Sequence, residues 1–230
     1  MNRIHPSAVV GANVRLGDDN TIGPFVVLSG NVEIGDGNWI GSGVKIGPPP
    51  EVRSVVHGAD WLDSAEGPGV RIGNRNVIRE DVKVHGGWKT TTSLGDGLFV
   101  MNGCYIAHDC ELEDGITLAA GVSLAGHVKI GIGASLGLSA TVHQQRVIGA
   151  LAMIGMSSVV THDIPPFVKA FGNPCRIRGV NSIGLLRASI AEDEIAEITR
   201  LVDLDDFPTT ALPIGNLTSR IDWFLGKCTI

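Results

Sequence analysis

Aliphatic side chains recur at every sixth position of this chain, a spacing that very few folds can use. The run begins at Ile4, Val10, Leu16, Ile22, Leu28, Ile34, Ile40 and Ile46 without a miss. It resumes at Ile72, Ile78 and Val84, then holds from Leu94 through Val100, Ile106, Leu112, Leu118, Leu124, Ile130, Leu136, Val142, Ile148 and Ile154 to Val160. Helices repeat at about 3.6 residues and strands at about 2, so neither alone makes this period. Glycine often follows the aliphatic residue, as in Leu16-Gly17, Ile22-Gly23 and Ile34-Gly35. The spacing predicts a parallel β-helix: three short flat sides per coil, with aliphatic side chains stacked up a narrow axis.

The composition fits such a prism. Hydrophobic residues make up 43% of the chain but aromatics only 5%, and the 31 glycines suit tight corners. A net charge of −6 with no basic block argues against a nucleic-acid partner. Cys104, Cys110, Cys175 and Cys228 form no CxxC pair, and Cys104 and Cys110 occupy equal positions in their hexads. They read as small interior residues rather than a disulfide. The opening Met1-Asn2-Arg3-Ile4-His5-Pro6 has no apolar signal core. No apolar run approaches the roughly 20 residues of a membrane helix, so a cytoplasmic protein without a membrane span is expected.

Three hexads make a coil of about 18 residues, so residues that far apart stack on one side. The 23 aliphatic positions then make seven to eight coils, a prism ~35 Å tall at about 4.8 Å per coil. Two insertions break the count. From Ile46 to Ile72 is 26 residues, counted as one coil plus eight, and residues 48–70 read as a loop leaving the prism. A smaller loop at Gly86-Gly87-Trp88-Lys89-Thr90-Thr91-Thr92 adds four residues. The expected division is a β-helix over residues 1–166 and a helical region over 167–230. In the latter, Ser189-Ile190-Ala191-Glu192 has a capping-box pattern, and Ile195, Ile198, Leu201 and Val202 recur at helical spacing. Pro208 and Pro213 punctuate, and Ile221, Trp223, Phe224 and Leu225 suit a last short helix.

His85, His108, His127 and His143 belong to the hexads led by Val84, Ile106, Leu124 and Val142. Allowing for the small loop, all four lie on one side of the prism in successive coils. By this count the long insertion replaces the hexads directly below them, which brings its end close by. A neutral imidazole beside a carboxylate, as in His108-Asp109, is a competent general base near neutral pH. Gly126, next to His127, offers an unhindered N–H for a developing oxyanion. A bland alternative is a row of polar surface residues. A sharper one is a metal, since three histidines from stacked coils can hold zinc, as in hexapeptide-repeat carbonic anhydrases.

Over Ile106-Ala107-His108-Asp109-Cys110, Leu124-Ala125-Gly126-His127-Val128 and Val142-His143-Gln144, the chain resembles the UDP-N-acetylglucosamine O-acyltransferases of lipid A synthesis. Asn74-Arg75-Asn76-Val77-Ile78-Arg79-Glu80, Asp163-Ile164-Pro165-Pro166 and Gly179-Val180-Asn181 match as well. The resemblance runs from His5 to about Arg187. It implies an all-β left-handed β-helix with a short C-terminal α-helical region, assembled as a homotrimer with active sites between subunits. Handedness comes from the resemblance alone; the usual crossover rule favours the other hand. The resemblance further implies His108 as base, Asp109 as its holder and Gly126 as oxyanion donor. His85, His127, His143 and Gln144 would line the sugar and phosphopantetheine sites. Asp60 would bind the acceptor from the loop, Asn181 and Arg187 the nucleotide. Met153 and Met156 would face the acyl chain, Met156 limiting its length.

The chain departs from the family in places. It has one N-terminal coil fewer and a longer loop. Leu62 stands for a Lys, Tyr105 for a His, and Ile183 and Ala188 for a Glu and an Arg. The expected reaction moves an acyl group, such as 3-hydroxyacyl, from acyl carrier protein or coenzyme A to a nucleotide-linked sugar. The donor is a phosphopantetheine thioester and a co-substrate; no bound cofactor and no metal are expected. N-acylation of a nucleotide-linked amino sugar is the alternative, ahead of a carbonic-anhydrase-like enzyme. A structural or regulatory homologue is a third reading, against which the His108-Asp109 pair argues.

Overall fold

Each hexad folds as a strand of two or three residues followed by a turn, and the strands stack into three parallel sheets that form the faces of a prism. The computed structural model describes residues 1–64, 67–203 and 217–228. The first face runs from Arg3–Ile4 to Val168–Phe171, the second from Val9–Val10 to Val159–Val160, and the third from Val14–Leu16 to Val147–Ile148. Register follows the aliphatic ladder: Val84 pairs with Ile106, Ile106 with Leu124, and Leu124 with Val142 on the second face. From Ile22 to Ile154 these inward residues are all but inaccessible to solvent. Burying each contributes roughly 1.5–3 kcal/mol, so the interior tolerates only aliphatic residues at that position. Cys104 and Cys110 lie in this interior as free thiols. Burial pushes the Cys104 thiol up to about 11 and the Cys110 thiol up to about 12, which leaves both chemically inert.

The corners are turns whose last residue has a positive φ. Glycine takes that place at Gly97, Gly115 and Gly133, but in three successive coils between the second and third faces it falls to Asp109, His127 and Gln145, with φ of 61°, 63° and 61°. Left-handed backbone costs an L-residue roughly 1–2 kcal/mol, which the surrounding stack must offset.

The long insertion is differently built from the count made above. Ile72 pairs with Ile34, and Val84 with Ile46, so no coil is replaced. Of the 26 residues between Ile46 and Ile72, six are one ordinary hexad step and 20 are extra. They leave from a single corner, between the second and third faces, where the small loop also leaves. Aliphatic spacing alone could not separate these cases.

The parallel winding also continues beyond residue 166. Val168–Phe171 pairs with Met153–Ile154 on the first face, then turns back into the antiparallel strand Arg176–Val180. Three helices follow: α1 (Ser182–Arg187), α2 (Glu192–Asp203) and α3 (Thr218–Lys227). The hexad count overlooked α1, a short helix capped by the Asn181 side chain, which accepts from Gly184 N–H at 3.2 Å. Ser189 is not the cap of α2: it sits in left-handed backbone after α1, and Glu194 accepts from Ala191 N–H at 3.4 Å instead. Leu151, Phe167, Val180, Leu185, Ile198 and Ile221 form a second apolar cluster that closes this end of the stack. Pro208 and Pro213 lie outside the described residues. Among the described residues no helix is long and apolar enough to cross a membrane.

Candidate active site

The corner between the second and third faces gathers the chemistry. Asp109 is fully buried at its side chain, and its Oδ2 lies 2.7 Å from His108 Nδ1. His127, one coil on, brings Nε2 to 3.5 Å from the same oxygen. The other oxygen, Oδ1, accepts from the backbone N–H groups of Trp88, Lys89 and Thr90 at 3.1, 2.9 and 2.6 Å, and from Thr90 Oγ1 at 3.1 Å. Burial would raise the Asp109 carboxyl, but the Thr90 amide, His108 and the Lys89 amide outweigh it and hold the group below the usual carboxylate range. An ionised Asp109 only accepts, so Nδ1 of a neutral His108 carries the proton and Nε2 the lone pair. Burial lowers His127 below the ordinary histidine value, against the pull of Asp109, and favours its neutral form.

Gly126 stands beside the free edge of His108. A side chain there would put its Cβ 2.6 Å from His108 Cε1 and 2.8 Å from Nε2. Its N–H has no acceptor among the described residues. At the equivalent turn position one corner away, four such amides are taken by side chains of the next coil: Asp18 by Asp36, Asp36 by Asn74, Asn74 by Asp96 and Asp96 by Asp114, at 2.7 to 2.8 Å. A buried amide left open beside a base is suited to a developing oxyanion.

The other sequence-nominated residues divide by location. His85 sits in the same corner, but both ring nitrogens face the long loop: Nδ1 is 3.0 Å from Pro49 O and Nε2 3.2 Å from Glu51 Oε1. His143 and Gln144 are exposed one coil above His127. Asp60 lies on the loop, in a cavity of about 470 Å³ shared with Pro49, Trp61 and Gly86. Met153 points outward from the first face, and Met156 stands 71% exposed at the corner that follows it. Asn181 is held against Leu151 O at 2.9 Å, and Arg187 ends α1 in solvent. None of these last four shares the corner of His108.

Sequence reasoning missed the ring of donors around Asp109 and the Glu51 contact. The signal for the first was present, since the four-residue insertion falls between His85 and His108 in one corner. The ligand atoms of His108, Asp109 and His127 lie within 4.8 Å of one another, but this is two imidazoles and a carboxylate, not three histidines. With Oδ1 held by four donors and Oδ2 in hydrogen-bond contact with His108, Asp109 fixes the orientation of the His108 ring.

Comparison with known proteins places this geometry in context. The family described as UDP N-acetylglucosamine O-acyltransferase, domain 2, matches residues 163–204. The acyl-(acyl-carrier-protein)–UDP-N-acetylglucosamine O-acyltransferase of Paracidovorax citrulli is 46% identical over 138 residues, 57% of this chain and 52% of its own length. The chain spans about half the length of the curated relatives it matches. The solved UDP-N-acetylglucosamine acyltransferase from Campylobacter jejuni superimposes with a TM-score of 0.76 at 30% identity, over 99% of this chain and 92% of that one. The corresponding enzyme from Moraxella catarrhalis gives 0.76 at 29%, over 87% and 83%. The winding shared with these structures is left-handed.

Proposed function

Because the chain belongs to the UDP-N-acetylglucosamine acyltransferase family, we propose that it moves an acyl group from acyl carrier protein to a hydroxyl of UDP-N-acetylglucosamine. The observation that carries this reading is the His108–Asp109 contact of 2.7 Å beside the open amide of Gly126. His108 Nε2 takes the proton of the acceptor hydroxyl as its oxygen attacks the thioester carbonyl. The carbonyl oxygen becomes an oxyanion that Gly126 N–H can receive. Collapse expels the phosphopantetheine thiolate, which takes the proton back from the His108 imidazolium. The products are an ester and a free thiol, and the step needs no bound cofactor.

The division of the nominated residues supports a site shared between copies. His85, His127, His143, Gln144 and the loop bearing Asp60 lie along the corner that carries the base, whereas Met153, Met156, Asn181 and Arg187 lie elsewhere on the same chain. A neighbouring copy can bring the second group to the first, as in a homotrimer of parallel prisms. In that arrangement His127, His143 and Gln144 line the sugar and phosphopantetheine, Asn181 and Arg187 the nucleotide. A cytoplasmic setting goes with this donor.

The test is a reaction of the purified protein with 3-hydroxyacyl carrier protein and UDP-N-acetylglucosamine, followed by mass spectrometry. The expected product is an alkali-labile acyl ester. An alkali-stable amide formed only on a nucleotide-linked amino sugar would move the assignment to N-acylation, and no product with either acceptor would refute it.

A further inference from the structure

The loop at residues 86–92 ends in a concave run of backbone amides. Trp88, Lys89 and Thr90 aim three successive N–H groups at Asp109 Oδ1, and the Thr90 hydroxyl adds a fourth donor to that atom. Successive amides converging on one anionic oxygen form a nest. The contact is reciprocal, since Asp109 N–H donates to Thr92 Oγ1 at 2.9 Å, and Thr92 is fully buried. Oδ2 meanwhile faces His108. Four donors on Oδ1 draw charge from Oδ2, and each one removed makes Oδ2 a better acceptor for the His108 imidazolium. Three of the donors are backbone groups. The Thr90 hydroxyl is the one that substitution can delete.

Resting on the reading of His108 as the base, we propose that the 86–92 loop is a positioning element for it. In this proposal the Thr90 hydroxyl, acting through Asp109, sets the pH at which His108 gains its proton. Thr90 is thus a positioning residue, with no contact to the reacting atoms. The charged and titratable groups facing the pair are His127 on the next coil, Lys89 on the loop, Lys129 and Glu111 on the third face, Lys227 on α3, Glu51 on the long loop and the buried Cys110. All of them stay in place when Thr90 alone is changed.

The experiment follows the His108 ring by NMR across pH in the intact protein without substrates, for the wild type, Thr90→Val, Thr90→Ala and Thr90→Ser. Thr90 is exposed, so none of these changes removes a core side chain. Val and Ala are expected to move the His108 midpoint upward, and Ser to restore it. An unchanged or lowered midpoint in Val and Ala would overturn the proposal. So would a shift in Ser as large as that in Ala, which would indicate a general loosening of the loop. Because no substrate is present, failure of the acyl-transfer reading shows separately, as absence of product in the turnover assay.

Discussion

The His127 ring stands at 89° to the His108 ring with centroids 5.1 Å apart, and both rings address the same oxygen of Asp109. The two imidazoles are not equivalent. His108 takes the short 2.7 Å contact, whereas His127, at 3.5 Å, is shaped more by its burial than by the carboxylate.

That difference has a pH signature. His127 is lowered from the ordinary value of 6.5, so the unfolded chain takes up its proton before the folded chain does. Stability therefore falls as pH drops below about 6.5 through that window. Asp109, also lowered, contributes stability that is present above the unfolded carboxyl value of about 3.9 and lost as pH falls through its folded value. His127→Gln is expected to flatten the decline in unfolding temperature between neutral and mildly acidic pH while leaving the acid limb. Identical pH profiles for variant and wild type would contradict this.

Gly126 is tested by adding a single methyl group. Its φ lies outside the positive range, so Ala is admissible to the backbone, but Cβ would fall 2.6 Å from the His108 ring. Gly126→Ala should fold normally and lose turnover by roughly 10²-fold, the usual consequence of misplacing a reacting group by about 1 Å. Circular dichroism with steady-state kinetics separates the two effects, and a variant of full activity would mean that the ring need not occupy the observed position.

The Glu51–His85 contact ties the start of the long loop to the prism, on side chains 32% and 15% exposed. Since Asp60 rides on that loop, Glu51→Gln should raise KM for the nucleotide sugar and leave kcat nearly unchanged. The expected change is small, about two- to fivefold, in line with a partly exposed ion pair worth up to about 1 kcal/mol. A drop in kcat at constant KM would instead place Glu51 in the chemistry.

Chain length should respond to Met156. Its side chain is 71% exposed in the single chain, and in the proposed assembly a neighbouring copy would complete the acyl groove beside it. A Met occupying the space of three or four methylenes disfavours long donors by roughly 2–3 kcal/mol at about 0.8 kcal/mol each. A preference for donors of about ten carbons or fewer is expected, with Met156→Gly extending it. Equal wild-type activity on ten- and fourteen-carbon donors would remove Met156 from the groove.

Much of this architecture is legible in the sequence because one physical demand repeats. A narrow interior selects aliphatic side chains at every sixth position, so Ile106, Leu124 and Val142 report their own stacking, and the histidines one to three residues later inherit the same register. Insertions are less legible. The Ile46–Ile72 gap was read as a coil plus eight residues because aliphatic spacing does not reveal from which corner a loop leaves. The four-residue insertion marks where the amides of Trp88, Lys89 and Thr90 leave the stack, but not that they turn onto Asp109, since any residue supplies an N–H. α1 was missed because a six-residue helix shows little periodicity, and its cap is Asn181 rather than a Ser or Thr box. The placement of Met156 and Arg187 away from His108 could not be read from motif matching, which reports residues without their positions in space.

In the proposed reaction His108, held by Asp109, is the general base of acyl transfer. Single-turnover transfer by His108→Ala, with saturating acyl carrier protein donor and UDP-N-acetylglucosamine, tests it most directly. The expected rate is roughly 10²–10⁴-fold below wild type, with unfolding temperature and oligomeric state unchanged because the ring lies outside the aliphatic stack. A rate within a few fold of wild type would contradict it.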